Sequence, residues 1–211
     1  MGIDRFKIKI GFNILEDIKA ITSIEETIEI IINSINLDTF LTYQNGNLLE
    51  VFADNFADME RQALKINSWG KNIYVKIPVV NSKGKFTGQL IKKLNKKKIK
   101  LNITAVYTVA QVKKINKCLD NKSKSIISIF AGRMSDTGID PWPIMKKAIQ
   151  ITNKKKKVEI LWASTREPYN YIQARQLNCQ IITMPPKIIE KVSKFGKTFN
   201  QLTLDLSLIH I

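Results

Sequence analysis

Six short apolar runs recur along the chain: "LLEVFA" (48–53), "IYVKIPV" (73–79), "LNITAVY" (101–107), "SIISIFA" (125–131), "VEILWAS" (158–164) and "CQIITM" (179–184). Their centres lie about 21 to 33 residues apart, close to the ~30 residues that a strand, a returning helix and two loops require. Helical patterns fill the intervals. "NFADMERQALKI" puts Phe56, Met59, Ala63 and Ile66 on one stripe, and "TVAQVKKI" turns Val109, Val112 and Ile115 inward behind Thr108 as N-cap. "DPWPIMKKAIQI" offers Asp140 as cap and Pro141 at the first helical position, with Ile144, Met145, Ala148 and Ile149 inward. "PPKIIEKVSKF" repeats the pattern with Ile188, Ile189, Val192 and Phe195. Strands alternating with helices imply a parallel sheet buried on both faces, and the count favours a (β/α)8 TIM barrel over a doubly wound sheet.

The first 47 residues fit this scheme less well. "FKIKIGF" (6–12) reads as a strand, "ILEDIKAI" as a helix, and "SIEETIEIIINSI" (23–35) as a second helix opened by a Ser23–Glu26 capping box. A strand is missing between those helices unless "DTFLTYQ" (38–44) supplies it out of order. The expectation is therefore an α/β chain, residues 1–211 forming a single domain, whose barrel is incomplete or irregular in its N-terminal quarter.

Residue usage narrows the chemistry. The only histidine among 211 residues is His210, which excludes a Ser-His-Asp triad, a Cys-His pair and His-built metal sites unless the tail folds back. No Gly-x-Gly-x-x-Gly or P-loop pattern occurs. Neither a metal nor a cofactor is expected. Two cysteines, Cys118 and Cys179, are too few for a disulfide framework and suggest a reducing cytoplasm. No stretch approaches the ~18 apolar residues of a membrane span. The net charge of +16 comes from lysine runs such as "KKLNKKKIK" (92–100) and "NKKKKVE" (153–159). These runs precede strands and carry no interleaved aromatics, so neither a nucleic-acid nor a membrane partner is expected.

Lys76 stands in the middle of an apolar strand, and lysine is almost never fully buried unless paired. An edge strand or a side chain snorkelling to water would explain it; so would chemistry that needs a desolvated amine. Barrel strands point alternate residues inward and gather chemistry at their C-terminal ends. The inward-type polar residues are Glu50, Lys76, Asn102 with Thr104, Ser128, and Ser164, each on a different strand. An unpaired buried polar group costs ~1–3 kcal/mol, so five strands in succession carrying one read as a single site. Arg133 and Arg166 follow two of these strands by a few residues and suit bidentate phosphate binding.

The segments "EVFADNFADMERQALKINSWGKNIYVKIPVVNSKGKFTG", "LNITAVYT", "IISIFAGRMSDTG", "ILWASTREP" and "IITMPP" resemble the small-subunit branch of the transaldolase family, which includes fructose-6-phosphate aldolase. The resemblance implies that Lys76 forms the Schiff base and that Glu50 holds the catalytic water, with Thr104 as a third catalytic group. It assigns Asn102, Ser128, Phe130, Arg133, Ser164 and Arg166 to the substrate, Ser164 and Arg166 to its phosphate. Ketose and aldose phosphates are the implied ligands, a homo-oligomer the implied assembly, and the pentose phosphate pathway the implied setting. Glu50 and Phe130, where the family's aldolases tend to carry Gln and Tyr, point to transfer rather than simple cleavage. Burial should disfavour the Lys76 ammonium, and Glu50 is expected to reach it only through a water and Thr104.

The pattern breaks at the N-terminus. The family's first strand ends in an Asp that handles protons around the imine, and its second carries a Thr-Asn-Pro turn that binds substrate. Here the first strand reads "KIKIGFN", and Thr-Asn-Pro occurs nowhere. An aldolase-like lyase and a catalytically impaired relative therefore stand as alternatives to a transaldolase.

Overall fold

The computed structural model describes residues 6–8 and 47–209. Strands β1 (Phe6–Ile8), β2 (Asn47–Glu50), β3 (Ile73–Pro78), β4 (Leu101–Val106), β5 (Ser125–Ile129), β6 (Val158–Trp162) and β7 (Ile181–Met184) form one sheet. Their order is β1-β7-β6-β5-β4-β3-β2, and every neighbouring pair is parallel. This is the circular order of a (β/α)8 barrel with its opening between β1 and β2. Residues 9–46 lie outside the described residues, and with them the helices expected there, the run 38–44 and the expected gap of one strand.

All six runs expected to lie parallel and adjacent do so. The run at 48–53 pairs as a strand only to Glu50. Gln62 explains the early end: its Oε1 accepts the backbone N–H of Phe52 at 2.7 Å and of Ala53 at 2.9 Å, taking donors that a longer strand would give to the sheet. The chain then enters helix α1 (Phe56–Ser68), capped by Asn55, which buries Met59, Ala63 and Ile66. Helix α2 (Gly88–Lys96) follows β3. Helix α3 (Val109–Cys118) follows β4 behind a full capping box, Thr108 accepting from Gln111 N and the Gln111 side chain accepting in return.

After β5 comes a single short turn of helix, α4 (Ala131–Ser135), and then α5 (Trp142–Thr152). The start of α5 corrects the sequence reading by one position: Pro141 is the cap, and Asp140 Oδ1 accepts the Trp142 N–H at 2.9 Å. Helices α6 (Tyr169–Gln176), α7 (Pro186–Ser193) and α8 (Phe199–Ile209) complete the chain. In α7 only Ile188 is fully buried; Phe195, expected inward, lies past the helix end and is 45% exposed. Helix α8 leaves Phe199, Leu204, Leu206 and Leu208 exposed.

Strand alternation divides the core. Val75, Ile77, Leu101, Ile103, Ile127, Ile129, Ile160 and Trp162 pack between the sheet and the helices. Leu48, Tyr74, Ile126, Leu161, Ala163 and Ile181 form a second cluster on the concave side. Four positions of this inner set are two residues from a polar one nearer the strand's C-terminal end: Leu48 from Glu50, Tyr74 from Lys76, Ile126 from Ser128, Ile181 from Thr183. An apolar floor thus lies below a polar layer.

Candidate active site

A cavity of about 670 Å³ opens above that floor, at the C-terminal ends of the strands. Lys76, Asn102, Thr104, Ser128, Phe130, Ser164 and Arg166 all line it. Of the nine site residues named from sequence, seven thus share one wall, drawn from β3, β4 and β5 and from the segments after β5 and β6. The other two lie outside it. Glu50 contacts Lys76 from its flank. Arg133, one turn into α4, is exposed, its guanidinium lying 5.8 Å over the Phe130 ring rather than in the cavity.

Lys76 is 4% exposed, and its Nζ donates to Glu50 Oε2 at 2.7 Å. This direct ion pair overturns the expectation of a contact relayed by water and Thr104. The cause is register: Glu50 and Lys76 are paired Cα partners across β2 and β3, and side chains at paired positions point to the same face. Such pairing cannot be read from either strand alone. The same rule sets Asn102 beside Lys76 in the next strand. Ser128 continues the row, its Oγ donating to Asn102 Oδ1 at 2.6 Å, which leaves the Asn102 amide nitrogen to face other partners.

Two backbone irregularities sit at this rim. The pairing of β4 with β5 shifts register between Ile103 and Val106, and Ala105 within that bulge has φ +56°. Ser164 has φ +64°. Non-glycine residues in the left-handed region are uncommon, and strain of this kind concentrates at ligand sites. Ser164 is followed by Thr165, 4% exposed, whose Oγ1 has no hydrogen-bond partner among the described residues. Asn170, also buried, caps this turn by accepting from Arg166 N at 3.1 Å. Arg166 carries its own counterion: Nε and Nη2 reach the Asp136 carboxylate at 2.7–3.0 Å. The guanidinium holds the Asp136 carboxyl below its usual range.

Sequence reasoning missed four polar lining residues: Thr165, Thr183, Lys187 and Lys191. Thr183 was findable by alternation from Ile181. The other three lie on a loop and a helix, where period-2 reasoning says nothing. Neither cysteine competes as a nucleophile: burial pushes the Cys179 thiol up to about 12 and raises that of Cys118, and neither lines the cavity.

The Lys76–Glu50 pair is asymmetric, Glu50 being 37% exposed. Glu50→Ala removes the described carboxylate partner of a buried ammonium and is expected to destabilise by about 2–3 kcal/mol, below the 3–5 of a fully buried pair. Lys76→Ala leaves a carboxylate that water can reach, and about 1 kcal/mol or less should be lost. Urea unfolding of both variants measures the difference; equal losses would show that burial does not control this pair.

A family model described as transaldolase/fructose-6-phosphate aldolase matches residues 9–209, and the chain belongs to that family. Curated relatives include three named probable transaldolase. That of Thermoplasma volcanium is 31% identical over 157 residues, covering 74% of this chain and 66% of the relative. The protein of a Thermoanaerobacter species is 30% identical over 71% and 66%. That of Caldicellulosiruptor saccharolyticus is 28% identical over 73% and 67%. The matched stretch spans about two thirds of these relatives' length. No helix among the described residues is long and apolar enough to cross a membrane.

Proposed function

We propose that the protein transfers a dihydroxyacetone unit from a ketose phosphate to an aldose phosphate through a Schiff base on Lys76. The observation that carries this reading is a lysine 4% exposed in a cavity wall with a carboxylate at 2.7 Å from its amine. A nucleophilic amine must first lose a proton, and Glu50 Oε2 is within reach to accept it. The Lys76 nitrogen then attacks the ketone carbon, and loss of water gives a protonated imine. Cleavage of the C3–C4 bond leaves its electron pair on C3, delocalised into the imine as an enamine. The C4 hydroxyl loses its proton as the aldose phosphate departs. Addition of the enamine to the aldehyde of a second aldose phosphate, then hydrolysis, returns Lys76. Asn102, Ser128 and Thr104 would hold the hydroxyls of the unit bound to Lys76, and Ser164 with Arg166 the phosphate at the far end.

Glu50 and Phe130 favour transfer over release of free dihydroxyacetone, which would be the aldolase outcome. A second reading has its own support: the strand-1 sequence "KIKIGFN" offers no Asp to take the C4-hydroxyl proton, and no Thr-Asn-Pro is present. A chain that forms the imine but cleaves slowly would fit those absences.

Borohydride reduction in the presence of dihydroxyacetone or fructose 6-phosphate, followed by mass measurement and peptide mapping, tests the proposal. A reduced adduct on Lys76 supports it; a folded protein without adduct defeats it. Adduct formation without turnover would select the impaired relative. Arg166→Ala is expected to raise the half-saturating ketose phosphate about 10- to 100-fold, as loss of a charged hydrogen bond worth ~1.5–3 kcal/mol implies. Trapping of dihydroxyacetone, which has no phosphate, should change far less. Equal losses of both would remove the phosphate assignment.

A further inference from the structure

Among the described residues, four cationic side chains line the cavity, Lys76, Arg166, Lys187 and Lys191, and no carboxylate does. Two of the four are compensated from behind. Glu50 sits on Lys76, and Asp136 engages Arg166 through two nitrogens. The uncompensated charge comes from α7, where Lys187 and Lys191 make no ion pair with a described carboxylate. Glu190, the nearest acid in sequence, is taken by Lys194 at 2.7 Å.

We propose that Lys187 and Lys191 set the specificity of the cavity for phosphorylated substrates, supplying the net positive charge that the neutralised Arg166 does not. This rests on the sugar-phosphate reading above. A phosphate monoester carries about −1.5 to −2 charges near neutral pH, and two ammonium groups match that. Residues four apart on a helix lie on one face. Ile188, which also lines the cavity and is 7% exposed, anchors that helix to the core beneath them.

The start of α7 shows why side chains must carry the charge. An anion is normally drawn to the free N–H groups of a helix's first turn. Here the cap is Pro185 and the first residue Pro186, neither of which has an N–H, and Ile188 N and Ile189 N both donate to Pro185 O. Only the Lys187 N–H is left in that turn, a thin backbone site. A separate sign of a missing ligand comes from the β6 side of the cavity. The Thr165 hydroxyl, beside Ser164 and Arg166, is buried with no partner among the described residues, and a buried hydroxyl left unpaired costs stability until something bonds it.

The experiment uses the full chain and its Lys187→Gln, Lys191→Gln and double variants, with the double arginine variant as a charge-retaining control. Inorganic phosphate binding is measured by calorimetry, and half-saturation of borohydride trapping is compared for fructose 6-phosphate and fructose. Each glutamine should weaken phosphate and fructose 6-phosphate about five- to tenfold, less than Arg166→Ala because both ammonium groups are exposed and screened by solvent. Fructose should move far less, and arginine should restore most of the loss. Added salt should shrink the wild-type preference for the phosphorylated sugar. An unchanged phosphate affinity and an unchanged sugar preference in the double glutamine variant would overturn the proposal, as would a wild-type protein that binds no phosphate. If no sugar is ever trapped, the Schiff-base reading fails by itself, and calorimetry still decides the role of the lysines.

Discussion

Lys76→Ala is expected to abolish the borohydride-stabilised adduct with dihydroxyacetone while the protein remains folded. Among the described residues it is the only amine that is both buried and in the cavity wall: Lys187 and Lys191, the other lysines lining it, are exposed. An alanine keeps the strand and its ladder, and the Glu50 carboxylate left behind is reached by water. The stronger form of the test is Lys76→Arg. A guanidinium keeps the positive charge for Glu50 and fills much of the same volume, but it is not deprotonated in proteins and cannot attack a carbonyl. Trapping should therefore be lost by orders of magnitude in a variant whose ion pair, and hence stability, is preserved. Retained adduct or turnover in either variant would overturn covalent catalysis through Lys76. Conversely, Glu50→Gln keeps the amine but removes a proton acceptor at 2.7 Å, so its trapping rate should fall while the adduct, once formed, still maps to Lys76.

The strands were legible because a parallel sheet covered on both faces needs apolar runs, and those runs are unbroken from β3 to β7. The polar positions within them were legible by alternation: Lys76 shares inward parity with Tyr74, Ser128 with Ile126, and Asn102 with Thr104. What the strands did not disclose was register. The direct Glu50–Lys76 contact depends on a pairing between two strands 26 residues apart, and a shift by one would have turned the carboxylate to the helices. Direction was equally hidden once the chain left a strand. Arg133 and Arg166 each follow an apolar run by a few residues, yet one lies over Phe130 outside the cavity and the other lines it, held by Asp136. That difference arises from helix α4, which starts at Ala131 and carries Arg133 outward within its single turn. Lys187 and Lys191 read as ordinary surface lysines, because nothing in "PPKIIEK" says that this helix starts at a cavity mouth.

Gly132→Ala is expected to be among the most damaging single substitutions outside the polar layer. A Cβ at residue 132 would lie 1.5 Å from the Ser164 carbonyl oxygen and 2.6 Å from its carbonyl carbon. Those are backbone atoms and cannot swing away as a side-chain end would. They also belong to a residue already at φ +64°, immediately before Thr165 and Arg166. The contact is made closer still by a hydrogen bond from Gly132 N to Ala163 O at 3.3 Å. Overpacking commonly costs ~1–3 kcal/mol and sometimes more. Here relief requires moving the turn that carries Ser164 and Arg166, so a loss of about 3 kcal/mol or more is expected, together with weakened ketose-phosphate saturation. Gly138→Ala is the matched control. Its φ of +78° disfavours alanine, but nothing lies within 4 Å of the added carbon, so about 1–2 kcal/mol should be lost with saturation unchanged. Thermal unfolding and fructose 6-phosphate trapping of the pair separate the two effects. A Gly132→Ala protein as stable as the Gly138→Ala one, with normal saturation, would mean that the turn yields freely and that the tight approach of α4 to β6 does not position the phosphate-binding residues.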